Sequence, residues 1–501
     1  MCSRLKLVFA LSVLLQLLDF SRGNNVGAAY GRDANNLPSP DKVAQLVRNH
    51  NIQYIKIYDT DPQVLNAFKN TGIKFTVGVH NSDLPAFQSQ SYVDSWLANS
   101  ILPFYPATRI TYITVGNEVT ESPGNSANLV VPAMRNVVSA LKKSNLQDNI
   151  KVSTPLSFGV LSNSFPPSEG AFKSSLAYVL NPLLEFLDEN QSPFMVNIYP
   201  YFAINDDSSL KFALFEPSNQ VFVDRNTGLR YDNMFDAQLD AVHFAIANQF
   251  RRARNLLDAQ LDDVRFSLTY QNLNNMKTVV TETGYPKGGS PGHRFATIDN
   301  ARIYNTNLIR HVTSGSPTTA LFGGVHVKSG TPAKPNAEVD VYIFSLFDEN
   351  LKQGSDIEGH WGIFYPDMTP AYDLEFPGTS SGKSWCIASS QASKSALQNA
   401  LDWACGPGQA DCSDIQPGGQ CFEPNNLVSH ASFAFNNYYQ KHGLTDEACS
   451  FGGTGIKVYN DPSYGNCIYH CKIKITPASG TTAIAGTSFA ERTGVCAREY
   501  R

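Results

Sequence analysis

The chain has 501 residues, a formal net charge of −5 and an isoelectric point near 6.1. It offers no basic field that could gather phosphates, so nucleic acid is not an expected partner. Charged residues make up only 17% of the chain and aromatic residues 11%. This balance suits a large folded protein that binds a neutral ligand through ring faces and hydrogen bonds.

The first residues have the features of a secretory signal. Arg4 and Lys6 precede an apolar run over 7–18, and the small residues Ser21 and Gly23 follow. The run would reach only about 18 Å as a helix, well short of the roughly 30 Å hydrocarbon core, which disfavours a membrane anchor. Residues 1–23 are therefore predicted to be a cleaved signal peptide. The polar C-terminal segment lacks the hydrophobic tail of a lipid-anchor signal, so no membrane anchor is expected.

Cysteine is distributed unevenly along the chain. After Cys2 the next cysteine is Cys386, and eight cysteines lie between positions 386 and 496. The part before Cys386 is long enough to bury a core without cross-links, whereas the last part is typical of a disulfide framework. Counting does not assign the pairs, because eight cysteines can pair in more than a hundred ways. The alternative, a zinc cluster, lacks paired C-x₂-C spacings and is disfavoured outside the cell.

Between residues 26 and 347, short β-branched runs alternate with longer stretches of helical periodicity. Eight parallel strands over roughly 350 residues fit one closed (β/α)₈ barrel. The predicted strands are Val26–Tyr30, Tyr54–Tyr58, Lys74–Val79, Ile110–Val115, Ile150–Thr154, Phe194–Tyr199, Thr278–Thr281 and Val341–Phe347. The predicted fold class is thus α/β, a (β/α)₈ TIM barrel followed by a small disulfide-rich α+β domain.

The composition also predicts the domain boundaries. The barrel is expected over 24–376, a short linker over 377–384, the cysteine-rich domain over 385–471 and an atypical tail over 472–501.

Two irregularities interrupt the barrel pattern. Residues 233–244 are echoed by residues 255–266. We interpret this repeat as a duplicated outer helix between the sixth and seventh strands, with a sequence error as the alternative. Residues 317–329 read as an insertion that disturbs the outer barrel. The sequon at Asn190 is followed by Pro193, which disfavours glycosylation there.

Two carboxylates follow predicted strands. Glu118 comes at the end of the fourth and Glu282 at the end of the seventh, and the C-terminal ends of barrel strands meet at one mouth. Hydrolysis of a glycosidic bond needs such a pair, since one acid protonates the departing oxygen while the other carboxylate attacks the anomeric carbon or activates water. A lone glutamate there is more often a salt-bridge partner at the rim, but the pair favours catalysis.

Characteristic motifs surround both glutamates. They are Val115-Gly-Asn-Glu-Val119 and Val280-Thr-Glu-Thr-Gly-Tyr-Pro286, supported by Tyr30-Gly31, Asn35-Asn-Leu-Pro38, Asn197-Ile-Tyr-Pro-Tyr-Phe202, Phe347-Asp-Glu-Asn-Leu-Lys352 and Gly359-His-Trp-Gly-Ile-Phe-Tyr-Pro366. Together they resemble family 17 of the glycoside hydrolases, the plant-type β-1,3-glucanases, over nearly the whole barrel.

The resemblance implies retaining chemistry, with Glu118 as the proton donor and later base and Glu282 as the nucleophile. It also implies that Asn117 holds a sugar hydroxyl near the reacting centre and that Tyr30 and Tyr199 shape the floor of the cleft. Neither a cofactor nor a metal is implied for this hydrolysis, and the histidines show no metal-ligand spacing.

Three further residues match a charged group that the family places beside the nucleophile. They are Glu349, Lys352 and Glu358. Such a group would tune the ionisation of the nucleophile, because a nearby cation favours a charged carboxylate and a nearby anion disfavours it. The alternative is a solvated network at the rim.

The cysteine-rich part resembles carbohydrate-binding module family 43, of the X8 type. The matching segments are Trp385-Cys386, Ala396–Gly406, Asp411-Cys412, Gly418–Cys421, His430–Phe435, Asn437–Gln440, Cys449–Gly453 and Asp461–Cys467. The resemblance implies the disulfides Cys386–Cys449, Cys405–Cys412 and Cys421–Cys467. Cys471 and Cys496 lie outside the family pattern and are expected either to pair with each other or to be free or mispaired thiols in an unstructured tail.

Aromatic residues of this domain allow two interpretations. Phe433, Phe435, Tyr438 and Tyr439 could stack on glucose rings, but their spacing is more typical of a helix core.

The leading hypothesis is endo-hydrolysis of β-1,3-glucan by a secreted monomer, extracellular or in the cell wall, whose module keeps it close to the polysaccharide. One rival is a non-catalytic cell-wall protein that binds glucan with both domains, and the intact Glu118 and Glu282 argue against it. A second rival is glucan remodelling by transfer or cleavage of a mixed-linkage chain, which no residue in the sequence separates from hydrolysis.

Overall fold

The computed structural model of the chain describes residues 26–121, 126–216, 221–256, 276–314, 330–335, 337–376, 384–389, 392–458, 462–464 and 467–471. Several expected features fall outside these ranges. They are the signal peptide over 1–23, the linker apart from Ser384, the insertion over 317–329, the second copy of the repeat beyond Leu256, and the tail with Cys496.

The first part of the chain is a closed barrel of parallel strands. The strands of the whole chain are β1 (Val26–Ala29), β2 (Tyr54–Lys56), β3 (Lys74–Val79), β4 (Arg109–Val115), β5 (Lys151–Ser153), β6 (Pro155–Ser157), β7 (Leu161–Asn163), β8 (Ala171–Phe172), β9 (Phe194–Asn197), β10 (Phe222–Val223), β11 (Arg230–Tyr231), β12 (Thr278–Thr283), β13 (Asp340–Phe344), β14 (Trp385–Ala388) and β15 (Gly455–Val458). The barrel strands neighbour one another in the order β5-β4-β3-β2-β1-β13-β12-β9-β6. Since only Thr154 separates β5 from β6, these are two halves of one strand and the sheet closes with eight strands. The predicted TIM barrel is confirmed.

Helices surround the barrel and fill the small domain. They are α1 (Pro40–Asn49), α2 (Pro62–Ala67), α3 (Gln90–Ser100), α4 (Ala127–Lys143), α5 (Ala177–Glu189), α6 (Asp207–Ala213), α7 (Met234–Leu256), α8 (Ile298–Ser314), α9 (Lys394–Cys405), α10 (Leu427–Lys441) and α11 (Asp446–Ser450). The long helix α4 presents an apolar stripe to its surroundings, burying Val130, Met134, Val137 and Leu141 at helical spacing. Within the described ranges, no helix combines the length and apolar character needed to cross a membrane.

The observed strands end earlier than predicted at four places. Tyr30, Tyr58, Tyr199 and Phe347 follow their strands instead of belonging to them. The apolar pattern of the sequence continues past the last ladder residue, because these aromatic side chains are also buried or half-buried. They lie at the start of the loops that form the barrel mouth. The fifth strand is longer than predicted but broken at Thr154, just before Pro155, which has no N–H to donate to a ladder.

Large side chains fill the bottom of the barrel. Tyr54, Met195, Val279 and Tyr342 form one buried cluster inside the sheet. Tyr54 lies directly against Gly27 of β1, where an added Cβ would lie 2.6 Å from the Cβ of Tyr54. The absence of a side chain at position 27 therefore makes room for the tyrosine in the interior.

The first copy of the repeat lies in α7, between the sixth and seventh barrel strands, as expected. Two buried carboxylates fix this helix to its surroundings. Asp236 Oδ1 lies 2.8 Å from Nε2 of His311 on α8, while Asp240 Oδ2 accepts the hydroxyl of Tyr231 at 3.0 Å and the N–H of Ala333 at 2.7 Å. The helix thus anchors the segment 330–335 on the outside of the barrel.

In the small domain, α10 packs against β14 and α11 against β15 of an antiparallel pair, and α9 packs against α10. Its disulfides join Cys386 to Cys449, Cys405 to Cys412 and Cys421 to Cys467. The fourth expected pair, Cys471 with Cys496, involves a residue outside the described part of the chain.

The aromatic residues of α10 mostly belong to the core. Phe433, Phe435 and Tyr439 are buried, so the helix-core interpretation is confirmed for these three. Tyr438 is partly buried and packs edge-on against Trp403, with 5.2 Å between the ring centroids.

The packing at Gly27 can be tested by substitution. Gly27→Ala should lower the free energy of unfolding by about 1–3 kcal/mol, because the new methyl group overlaps Tyr54 in a filled interior. Thermal unfolding of this variant is compared with that of Gly292→Ala, where no atom lies within 4 Å of the new Cβ. Equal melting temperatures for the two variants would contradict close packing at Gly27.

Candidate active site

The two predicted catalytic glutamates reach the same mouth of the barrel. Glu118 follows β4, and Glu282 lies near the end of β12, where it pairs in register with Asn197 of β9. The side-chain amide of Asn197 donates to Glu118 Oε1 at 2.9 Å, and its oxygen accepts the hydroxyl of Thr281 at 2.7 Å. Asn197 therefore links the carboxylate of Glu118 to the strand that carries Glu282, and Thr281 sets which end of its amide faces Glu118.

The backbone around Glu118 is held in an unusual conformation. Glu118 has a φ of 50° and follows Gly116 with a φ of 74°, a left-handed path that costs energy at a non-glycine residue. Its N–H donates to the carbonyl of Pro155 at 2.9 Å. Asn81 brackets the intervening Asn117, since its side chain accepts the N–H of Asn117 at 2.8 Å and donates to the carbonyl at 2.9 Å. These bonds offset the strain and aim Glu118 into the mouth.

Glu282 is buried and accepts three strong hydrogen bonds. Lys56 Nζ and the hydroxyl of Tyr58 both donate to Oε1 at 2.7 Å, and the hydroxyl of Tyr199 donates to Oε2 at 2.8 Å. Lys56 is 0% exposed, so its charge is compensated by this carboxylate. Its Nζ also donates to Asn117 Oδ1 at 3.0 Å. Lys56 therefore contacts both Glu282 and the residue that precedes Glu118.

The surroundings at the mouth shift the pKa values of the two carboxyl groups in opposite directions. Burial and the negative charge of Glu282 raise the pKa of Glu118 to about 7. Burial alone would raise the pKa of Glu282 too, but the Lys56 ammonium and the donated hydrogen bonds outweigh it and hold that pKa below its usual value. At weakly acidic pH, Glu118 therefore carries a proton while Glu282 is ionised, the division of roles that an acid and a nucleophile need.

The three predicted tuning residues lie together beside the mouth. Glu349 is 2% exposed and accepts the N–H of Asp33 at 2.8 Å. Lys352 Nζ lies 3.7 Å from Glu349 Oε2 and 3.5 Å from Asp33 Oδ2. Burial raises the pKa of Glu358, which lines the cleft with Lys352. An added Cβ at Gly31 would collide with the carboxyl of Glu349, so the glycine of the Tyr30-Gly31 motif makes room for it.

A long groove crosses the mouth. Two adjoining hollows of about 560 and 550 Å³ share Tyr58, Asn117 and Lys352 in their walls. The first hollow has an aromatic wall, formed by Phe158, Tyr199, Phe202, Phe344 and Trp361. The second is mainly polar and includes Tyr30, Arg32, Asp33, Asp59, His80 and Asn81. The catalytic pair thus lies within a groove that continues into both hollows.

The strand-end motifs predict that the named site residues lie at one mouth, but they do not identify several of the hydrogen-bonding partners. Lys56, Tyr58 and Asn81 were not singled out, and Thr281 and Asn197 were noted only within motifs. One signal was present, because Lys56 interrupts the apolar run Tyr54-Ile-Lys-Ile-Tyr58 of a strand buried on both faces. The other partners are ordinary polar residues whose position becomes informative only once the strands are side by side.

Comparison with known proteins identifies the family of both parts of the chain. Residues 26–250 and 245–376 match the glycosyl hydrolases family 17, and residues 384–456 match the X8 domain. Glucan endo-1,3-beta-glucosidase 13 of Arabidopsis thaliana is 52% identical, with 96% of this chain and 93% of that protein covered. A glucan endo-1,3-beta-D-glucosidase of Olea europaea is 36% identical, with 92% and 96% covered.

Solved structures agree at the level of the barrel. A β-1,3-glucanase and allergen of Cryptomeria japonica pollen is 40% identical, with a TM-score of 0.60 over 70% of this chain and 99% of that one. With a family match over most of its length, the chain belongs to family 17 of the glycosyl hydrolases and carries an X8 domain behind its barrel.

Proposed function

We propose that this protein hydrolyses internal β-1,3-glucosidic bonds of a β-1,3-glucan with retention of configuration. The observation that carries the proposal is the opposite ionisation of Glu118 and Glu282 in one open groove. The names of the relatives, which are glucan endo-1,3-beta-glucosidases, support the same substrate.

In the first step, Glu282 attacks the anomeric carbon of the glucosyl unit beside it while Glu118 protonates the departing glycosidic oxygen. The bond between the anomeric carbon and that oxygen breaks, and a covalent glucosyl ester forms on Glu282. The donors Lys56, Tyr58 and Tyr199 keep Glu282 ionised and aligned before the attack. Loss of the Glu282 charge on ester formation lowers the pKa of Glu118, because that charge contributed to raising it.

In the second step, the deprotonated Glu118 removes a proton from water, and the resulting nucleophile attacks the anomeric carbon. The ester bond breaks, Glu282 becomes a carboxylate again and Glu118 regains its proton. Two inversions at the same carbon leave the configuration of the released sugar unchanged.

The remaining site residues act on orientation and charge. Asn117 holds a sugar hydroxyl near the reacting carbon, and Tyr30 and Tyr199 form part of the cleft floor. Lys352, with Glu349 behind it, supports the ionised state of Glu282, since a cation beside a carboxylate favours its charged form.

Endo action follows from the shape of the groove, which continues from the catalytic pair into both hollows and can hold a chain on either side of the cleaved bond. The X8 domain adds a glucan-binding module that raises the local concentration of substrate. The disulfides of this domain support secretion, to the extracellular space or the cell wall. Both carboxylates and the groove belong to one chain, which supports action as a monomer.

Replacement of either glutamate tests the assignment of roles. Glu282→Gln and Glu118→Gln should each lower kcat on a linear β-1,3-glucan by about 10²-fold or more, because each removes a group that acts in the transition state. Reducing-sugar release is measured beside Glu189→Gln, a matched change at a surface ion pair.

A second substrate separates the two roles. On an aryl glucoside of a β-1,3-linked oligosaccharide whose leaving group needs no proton, Glu118→Gln should form the covalent ester at nearly the parent rate and Glu282→Gln should not. The assignment is wrong if both variants are equally inactive on this substrate.

The pH profile should follow the two carboxyl groups. Since Glu118 must be protonated, kcat/KM should fall as pH rises through about 7. Since Glu282 must be ionised, it should also fall in acid, below the usual range for a glutamate. In Glu282→Gln, an NMR titration should find the pKa of Glu118 lowered, because the neighbouring charge is gone. An unchanged Glu118 pKa in that variant would contradict the coupling.

Lys56 is expected to set the pH below which kcat/KM falls in acid, the acid limb of the profile. In Lys56→Met the pKa of Glu282 should rise, because the ammonium that favours its ionised form is gone, and the acid limb of kcat/KM should move to higher pH. Tyr58→Phe should move it in the same direction by less, since it removes one hydrogen bond and no charge. Lys74→Met, at the opposite end of the barrel, is the control. An unmoved acid limb in a folded Lys56→Met protein would reduce Lys56 to a packing role.

A further inference from the structure

A pair of aromatic rings lies beyond the aromatic end of the groove. Phe165 is 64% exposed, and its ring centroid lies 4.5 Å from that of the partly buried Phe222. Val221 and Val223, next to Phe222, are exposed as well. Single exposed apolar residues are common on protein surfaces, but an exposed ring packed on a second ring from another segment forms a larger apolar patch that a ligand can contact.

The two rings come from separate segments that are fastened together. Phe165 precedes a short helical turn that contains Ser168, and Phe222 opens the hairpin of β10 and β11. The buried carboxylate of Asp224 accepts both the N–H and the hydroxyl of Ser168 at 2.9 Å. It also accepts the N–H of Asn226 at 3.0 Å, which closes its own turn. This cross-link holds the rings in place before any ligand arrives, so little side-chain or loop entropy would be lost on binding.

The ring pair continues the groove. Ser164, the residue before Phe165, lines the aromatic hollow together with Phe202, which is itself 62% exposed. Phe165 thus directly follows a residue of the wall of this hollow.

We propose that Phe165 and Phe222 form an outlying platform on which the groove's polysaccharide stacks its more distant glucosyl units. This inference rests on the proposed function and extends it, because it makes the enzyme favour long β-1,3-glucan chains over short ones. The apolar C–H face of a glucosyl unit fits the face of an aromatic ring, while its hydroxyl groups stay in water.

A chain-length series tests the platform in the full-length protein. Phe165→Ala, Phe165→Leu and Phe222→Ala are compared with the parent on linear β-1,3-glucans from a trisaccharide to a soluble polymer. On the polymer, kcat/KM should fall about three- to tenfold, the loss expected for one aromatic contact. On the trisaccharide it should stay unchanged. Phe165→Leu should lose as much as Phe165→Ala, because leucine keeps the apolar volume but has no ring face.

The control is Tyr92→Ala, which removes a ring that is 45% exposed and lines neither hollow. Melting temperatures equal to that of the parent exclude misfolding. Losses that are the same at every chain length, or absent on the polymer, would overturn the platform. An inert parent would instead refute the proposed function; the platform would then stand only if both alanine variants weaken binding of the polymer.

Discussion

Everything at the barrel mouth depends on keeping one buried carboxylate ionised. An unpaired charge in such a position is strongly disfavoured, so the fold must bring compensating groups to Glu282. It does so with Lys56 and Tyr58 from the end of the second strand and Tyr199 from the end of the sixth. These donors are far apart in the chain, and only the closed sheet places them around one carboxylate. The barrel is therefore the means by which the charge is held.

Glu118 must instead be protonated, and it has different neighbours. It receives one amide hydrogen bond from Asn197 and no ammonium group within bonding distance among the described contacts, so burial and its ionised neighbour favour the protonated form. The left-handed turn that aims it is secured by the carbonyl of Pro155, at the break in the fifth strand. The break in the fifth strand thus supports the position of Glu118, which follows the neighbouring fourth strand.

Periodicity and strand-end motifs are local patterns, so the sequence alone predicts the barrel and the two catalytic candidates Glu118 and Glu282. It also predicts seven of the eight barrel strands as the unbroken runs that the structure shows. It did not reveal why the two glutamates differ. That difference comes largely from Lys56, whose partner Glu282 lies 226 positions away, while Asn197 reaches Glu118 across 79 positions and orients it. A lysine within an apolar run also fits a surface strand, and only the closed sheet decides between the two. The rings of Phe165 and Phe222 meet for a similar reason, through a carboxylate between loops that have no periodic pattern.

The placement of the cysteines gives the two halves of the protein different chemical dependences. Residues 26–376 contain no cysteine, and their core is held by packing and buried polar contacts alone. The small domain closes its core with Cys386, Cys421, Cys449 and Cys467, all buried. Recombinant production in a reducing cytoplasm would therefore yield a barrel that can assemble beside a module that cannot, whereas export through an oxidising compartment satisfies both.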